Sequence, residues 1–322
     1  MNRRDLVLGV LAGAGLNGLG HAQSAWPAKP IRLVVPFAPG GSSEIIARSV
    51  AAEMQAALSQ SVFVDNKPGG SGNIAMQDCL NAGDGHTIIL GHIGTLAVNP
   101  FLFAKLPFDV NKDFKPVSLL AKVPSLYVVN PTVPAKNLKE FVAMAKASPG
   151  KLNYGSAGNG SAGHLAMEYL KSEAGLFMVH VPYRGTGPQM TDLLAGRLEA
   201  ASVGAAAVMP FIKAGKLRCI ATGSKERLPQ LPDVGTVAEQ GYPGFEMTQW
   251  YGLMAPASMA DDQVGKLAAA AAKAVKSPAV QKRFDEEAVF GVGDTPAQFR
   301  AFIGTEQARW KKVVASAGIK VD

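Results

Sequence analysis

At 322 residues the chain is long enough for two domains that each bury a core of their own. Hydrophobic residues at 48% and charged residues at 18%, with 35 glycines and 21 prolines scattered through the chain, exclude a disordered or fibrous protein. The formal charge of +7 comes without a run of five basic residues or an interleaved aromatic stripe, which argues against nucleic acid and leaves a mild general attraction for anions.

Residues 1–22 read as an export signal rather than as part of the fold. Arg3-Arg4 precede the apolar segment Leu6 to Leu19, and Gly20-His21-Ala22 supplies a small-residue cleavage site after Ala22. The apolar segment is shorter than the roughly 18 residues a membrane span needs, and no lipobox cysteine follows. The expected location is the periplasm, reached by the general secretory or the twin-arginine route.

From Ile31 the chain alternates short β-branched runs with helical periods. Ile31 to Val35 reads as a strand, Pro36 to Glu44 as a glycine loop, and Ile45 to Leu58 as a helix. Val62 to Val64, Ile74 to Ala82 and Thr87 to Leu90 continue the βαβαβ pattern. Strands are expected at Val117 to Ala121 and at Leu126 to Asn130, followed by a helix from Leu138 to Ala147. Leu152 to Tyr154 then runs into a second glycine loop and a helix from Leu165 to Glu173. Val179 to Pro182, Pro188 to Ala195, Ala200 to Val203, Ala207 to Ala214 and Leu217 to Ala221 complete a second βα array. Alternation at this spacing requires parallel sheets, whose ligands sit beyond the carboxyl ends of the strands. The aromatic run Met247 to Leu253 reads as a return crossing to the first domain, with Leu119 to Val128 as the outward one, and two crossing strands make a hinge. The tail from Asp261 to Ala317 is helical, with Val264, Leu267, Ala268, Ala271 and Val275 on one face and Phe299, Phe302, Ile303 and Trp310 further on. The expected division is 23–122 and 248–322 in one lobe and 123–247 in the other.

Both glycine loops open helices, where unpaired N–H groups and the positive end of the helix dipole attract a carboxylate or phosphate. In the first loop the candidate contacts are Phe37, Ala38, Pro39, Gly40, Gly41, Ser42 and Glu44. Glu44 either steadies the helix dipole or receives a donor from the ligand. In the second they are Ser156, Ala157, Gly158, Asn159, Gly160 and His164. Gly91, Ile93, Gly94 and Thr95 belong to a further loop of this kind, as do Asn66 to Asn73, where Lys67 reads as a solvated side chain. Tyr183, Arg184, Gly185 and Thr186 add the one cation expected near the cleft.

Gly158, Gly160 and Gly163 form a GxGxxG match, which raises the alternative of an exported NADP-dependent oxidoreductase. The acidic residue expected about 20 positions on is absent, and Tyr183-Arg184 stands there instead. There is no GxSxG elbow and no GxxxxGK[ST] phosphate loop, and Ser161 with His164 reads as a helix start bonding its own loop rather than as a nucleophile pair. The five histidines lack metal-ligand spacing, neither Cys79 nor Cys219 belongs to a CxxC, and the two cysteines read as buried and unpaired. No catalytic residue, metal or cofactor is expected.

Seven segments together resemble the extracytoplasmic receptors of tripartite tricarboxylate transporters, the TctC or Bug type. They are Trp26 to Ile31, Val34 to Gly41, Asn66 to Gly69, Leu106 to Asp109, Asn153 to Gly160, His180 to Gly185 and Ala214 to Arg218. The resemblance implies a periplasmic-binding-protein-like α/β fold, with two βα lobes joined by two crossing strands around a ligand cleft. It also implies a small organic carboxylate as ligand and the permease subunits of a tripartite transporter, or a signalling protein, as partner to a monomeric receptor. Two departures stand out. Glu44 occupies a position where such receptors usually carry Asp, and Ser202-Val203-Gly204 replaces Phe-Asp-Asn. The second departure predicts an emptier, more apolar cleft that tolerates a bulkier ligand than citrate.

Overall fold

A computed structural model describes residues 26–319, so the export signal expected over residues 1–22 lies outside the described residues. The first lobe opens with β1 (Ile31–Val35), α1 (Ser42–Leu58), β2 (Val62–Asn66), α2 (Asn73–Ala82) and β3 (Thr87–His92). Two short helices, α3 (Asn99–Leu102) and α4 (Val110–Asp113), lead into the long strand β4 (Phe114–Val129). The second lobe follows as α5 (Leu138–Ala147), β5 (Asn153–Ser156), α6 (Ala162–Ala174), β6 (Val179–Pro182), α7 (Thr186–Leu194), β7 (Ala200–Gly204), α8 (Ala205–Lys213) and β8 (Arg218–Thr222). The chain then returns through β9 (Thr248–Pro256) to α9 (Asp261–Val275), α10 (Pro278–Glu286), β10 (Phe290–Gly291) and α11 (Pro296–Ala317).

The strands form one path in the order β2-β1-β3-β9-β4-β7-β5-β6, with β8 and β10 also paired to β4. Within each lobe the βα units pair in parallel, β1 with β2 and β3, and β5 with β6 and β7. The crossing strands β4 and β9 run antiparallel to their neighbours. Apolar side chains alternate between two cores, one on each face. Ile31, Leu33 and Val35 of β1 enter the core shared with α1, α8 and α9, whereas Val34 enters the core shared with α2, α6 and α11. Burial on both faces is why Leu33, Val34 and Val35 read as a continuous apolar run rather than as an alternating one, while Arg32 is satisfied by Asp65 and Asp78.

The two strands expected at Val117 to Ala121 and Leu126 to Asn130 are a single strand of 16 residues. Its prolines suggest a break, but they stand where pairing changes. Pro116 adjoins a register shift against β9, and Pro124 makes the last pair with β9, opposite Thr248. From Ser125 the same strand pairs with β7 in the second lobe. Ser125 N donates to Met247 O at 3.2 Å and Gly223 N to Ser125 O at 2.7 Å, so the connections between lobes are bonded together where they cross. The tail is also less uniform than expected, because β10 interrupts the helices and adds to β4. The apolar face expected on α9 is buried as a whole, along with Phe299, Ile303 and Trp310 of α11. Cys79 on α2 and Cys219 on β8 are buried and unpaired, and burial pushes both thiols up to about 12.

Candidate functional site

Four helices point their N-termini at one small space between the lobes. α1 contributes Ser42 and Ser43, α6 contributes Ala162 and Gly163 beside the capping Ser161, and α7 contributes Thr186 and Gln189. Gly204 caps α8 at the same place. Gly41, Gly185 and Gly204 cap α1, α7 and α8 without any side-chain bond to the first turn, so three positive helix ends lack an internal acceptor. The crossing strand β9 supplies Gln249 and Tyr251, alternate residues on one face, and β3 ends in His92. The cavity volume is about 30 Å³, and no Asp, Glu, Lys or Arg lines it.

Three buried polar atoms at this cavity find no partner within the protein: Ser42 Oγ, His92 Nε2 and Ser202 Oγ. A buried polar group without a partner costs free energy, so three around one small space mark a place built to hold a polar group. Thr95 N, which can only donate, donates to His92 Nδ1 at 3.2 Å and thereby assigns the imidazole proton to Nε2. Burial holds His92 down to about 3, and the ring therefore offers a neutral N–H. Gln249 and Tyr251, by contrast, are engaged with each other and with the hinge. Tyr251 OH donates to Gln249 Oε1 at 2.8 Å, and Gln249 Nε2 donates to Ser125 Oγ at 3.2 Å where the lobes join.

The lobes are closed around this space. Ala38 N donates to Arg184 O across the cleft at 3.3 Å. A Cβ placed on Gly187 would lie 2.5 Å from Pro39 O, and one placed on Gly94 would lie 2.4 Å from Gly160 O. Outside this seal an open groove of about 580 Å³ shares Phe37 and Ala157 with the cavity and runs past Ile74, Phe103 and Arg184.

The sequence-derived candidates divide into three groups. Phe37, Ser42, Ala157 and Thr186 line the cavity, while Gly158, Asn159, Tyr183 and Arg184 line the outer groove. Ala38, Pro39, Gly40, Gly41, Gly94, Gly160 and Gly185 touch the opposite lobe and make the seal. The remainder act inside their own lobe. Glu44 turns away from the cavity to accept from Gly40 N at 2.7 Å and to pair with Arg48 at 2.7 Å. Gly91 is packed against Leu96, Ile93 is core, and Thr95 bonds His92. Ser156 Oγ accepts from Gly158 N at 3.1 Å, and His164 Nδ1 accepts from Gly160 N at 3.2 Å, so His164 does bond its own loop.

The sequence reading missed Ser43, His92, Ser161, Gln189, Ser202, Gln249 and Tyr251. The alternation of Gln249 and Tyr251 within an apolar strand was their clearest signal. The expectation of an emptier, more apolar cleft at Val203 and Gly204 is also corrected. Both residues line the cavity, but a Cβ on Gly204 would meet Ser42 Oγ at 2.5 Å and Gln249 Oε1 at 3.1 Å, so polar groups from the other lobe and the hinge have taken the space.

Two βα lobes joined by crossing strands, with ligand-seeking helix ends between them, define a periplasmic-binding-type protein. Residues 46–319 match the profile of the tripartite tricarboxylate transporter family receptor, and the chain belongs to that family. It is 36% identical to protein BugT of Bordetella pertussis over 324 residues, covering 100% of this chain and 99% of BugT. Rpa4515 of R. palustris, solved with adipate, superposes with a TM-score of 0.88 at 33% identity, over 92% of this chain and 99% of that one. MatC from Rhodopseudomonas palustris, solved with bound malate, gives 0.86 at 33% identity over 89% and 99%. The family and its neighbours are solute-binding receptors rather than enzymes, which overturns the NADP-dependent alternative. Receptors of this family are periplasmic, and no helix among the described residues is long and apolar enough to cross a membrane.

Proposed function

We propose that this protein is a receptor that closes on a small organic carboxylate in the periplasm and delivers it to the membrane subunits of a tripartite transporter. The observation that carries the reading is the cavity itself. Helix N-termini converge on it, and three buried polar atoms face it without partners. Fixed dipoles and neutral donors suit an anion whose charge is spread over two oxygens. Adipate and malate in two relatives support a carboxylate ligand. In this reading residues 23–122 and 248–322 form one lobe and 123–247 the other, the monomer hinges where Ser125, Gly223 and Met247 meet, and residues 1–22 direct export.

The test is a thermal-shift screen of mono-, di- and tricarboxylates, with NADP as a control. A carboxylate at about 100 times its dissociation constant adds about 2.7 kcal/mol to the folded state. Mass spectrometry of small molecules released from the purified protein should find a carboxylate. Stabilisation by NADP alone, or by no carboxylate, would overturn the reading.

A further inference from the structure

The crossing strands have a second face. Successive residues of β9 point to opposite sides of the sheet, so Gln249 and Tyr251 line the cavity while Thr248 and Trp250 line a groove of about 580 Å³ behind the hinge. Its floor is a row across three strands, because Lys122 on β4 stands directly opposite both Phe290 on β10 and Trp250 on β9. Phe302 of α11 completes an aromatic surround, with the Lys122 ammonium 4.8 Å from its ring centre. One wall comes from Ser224 to Pro229, which follow β8 of the second lobe, and the other from α11 of the returning segment. Arg309 of α11 donates to Glu246 O, so the two sides of the hinge are bonded together at this groove. Not all of its charges are matched. Arg227 is held by Glu239, and Glu306 by Arg309 and the indole N–H groups of Trp250 and Trp310. Lys225 and Glu226 are neighbours on the exposed rim and offset each other. Among the described residues Lys122 and Glu246 make no ion pair, and both are half-buried. A half-buried charge without a partner favours a ligand of opposite sign, and aromatic faces favour a ring.

We infer that this groove is a second ligand site, for a small aromatic zwitterion of the amino-acid type, and that filling it favours closure of the lobes. The ligand's carboxylate meets Lys122, its ammonium meets Glu246, and its ring lies against Phe290 and Phe302. A molecule that touches both walls binds best where they stand as in the closed structure. It therefore shifts the lobes toward closure and, by linkage, tightens the hold of the cavity on its own ligand. The rear site does not depend on which anion the cavity takes, and only the tightening rests on the carboxylate-receptor reading.

Calorimetry on the full mature chain tests the chemistry with three probes: L-phenylalanine, 3-phenylpropionate, which lacks the ammonium, and phenethylamine, which lacks the carboxylate. Phenylalanine should bind about fivefold tighter than either. Lys122→Gln, and Phe290→Ser at a residue 52% exposed, should each weaken phenylalanine about three- to tenfold. Neither lines the cavity, so adipate affinity measured without phenylalanine should stay within about twofold. Small-angle scattering should show phenylalanine compacting the protein with no carboxylate present. Phenylalanine should also raise adipate affinity about fivefold, and adipate should raise that of phenylalanine by the same factor. Three results would overturn the rear site: no binding of phenylalanine, equal binding of either analogue, or competition with adipate, which would put the amino acid in the cavity. Binding without compaction would overturn its link to closure. If phenylalanine binds and compacts the protein but no carboxylate binds, the receptor reading falls and the rear site stands.

Discussion

The two glycine loops that face each other across the cleft are held in different ways. In the second lobe, Gly158 N and Gly160 N are bound to Ser156 Oγ and His164 Nδ1, and His180 Nε2 lies 2.6 Å from Ser156 Oγ. The His180 ring is sandwiched between Tyr154 and His164 at 4.8 and 4.3 Å, and behind them Glu168 accepts from the Tyr154 hydroxyl and from Lys171. In the first lobe, Asn66 Nδ2 donates to Phe37 O and Glu44 accepts from Gly40 N, whereas Ala38 N reaches its acceptor only across the cleft, on Arg184. One half-site is therefore built into its own lobe by buried side chains, and the other is completed when the lobes meet. Preorganising one half limits the ordering that ligand binding must supply.

Acid should break the preorganised half. Burial holds His164 down to about 4 and His180 to about 3, with each ring next to the other and Glu168 and Lys171 nearby. Unfolded histidines titrate near 6.5, so as pH falls below that value the unfolded chain gains protons first and stability declines until the folded rings protonate. Between pH 7 and 5 each ring contributes a loss of order 2 kcal/mol, less for the partly exposed His180. Urea unfolding at both pH values should show this decline, and the double variant His164→Gln with His180→Gln should show a flatter one. An unchanged slope would mean that the pair does not govern acid sensitivity.

The half-site that depends on closure should yield instead to steric obstruction between lobes. Gly187 has no left-handed backbone requirement, and a Cβ there meets only Pro39 across the cleft, at the carbonyl oxygen and carbon. Gly187→Ala should cost about 1–3 kcal/mol of closure, a 5- to 150-fold loss of carboxylate affinity, with little change in the melting temperature of the ligand-free protein. Small-angle scattering should find the variant open even with ligand present. Wild-type affinity would show that closure does not bring these two backbones together.

The same contrast sets what the sequence could disclose. A glycine loop entering a helix is local, so both loops and most of the strands and helices were legible within a few residues. Cavity residues such as His92, Ser202, Gln249 and Tyr251 come from strand ends far apart in the chain, and each looks like an ordinary polar interruption until the sheet brings them together. Pro124 lies between the two strands expected in this stretch, and proline usually marks an edge or the end of pairing. It does end pairing with β9, but the strand continues into the other lobe, and only three-dimensional pairing distinguishes the two cases. Gly204 misled for the opposite reason. Losing a side chain suggested space, yet Ser42 and Gln249 from elsewhere in the fold had moved into it.

An unpaired donor supplied by the second lobe allows a finer test of the closed site. Ser202 Oγ is buried at the closed cavity without a partner in the protein, so its hydrogen-bonding capacity is free for a ligand. Ser202→Ala should leave ligand-free stability close to unchanged, because water satisfies this hydroxyl while the cleft is open. The same change should weaken carboxylate binding about tenfold through loss of a hydrogen bond to a charged group. Paired calorimetry and thermal melts would separate a loss of affinity from an unchanged stability. A loss of stability without a loss of affinity would place Ser202 outside the site.

The smallest effect belongs to Glu44, whose role the sequence left divided between helix dipole and ligand. Its carboxylate accepts from Gly40 N and pairs with Arg48 one turn along the same helix, and it does not line the cavity. A partly exposed pair of this kind contributes about 0.3–0.5 kcal/mol, and a negative charge in the first helical turn adds a similar amount. Glu44→Gln keeps an acceptor for Gly40 N while removing the charge, and should change carboxylate affinity by no more than about twofold. Arg48→Ala should act on the loop to the same small extent. A loss of tenfold or more in Glu44→Gln, confined to ligands that carry an ammonium or hydroxyl group, would instead put this carboxylate on the ligand and make the first loop a recognition element in its own right.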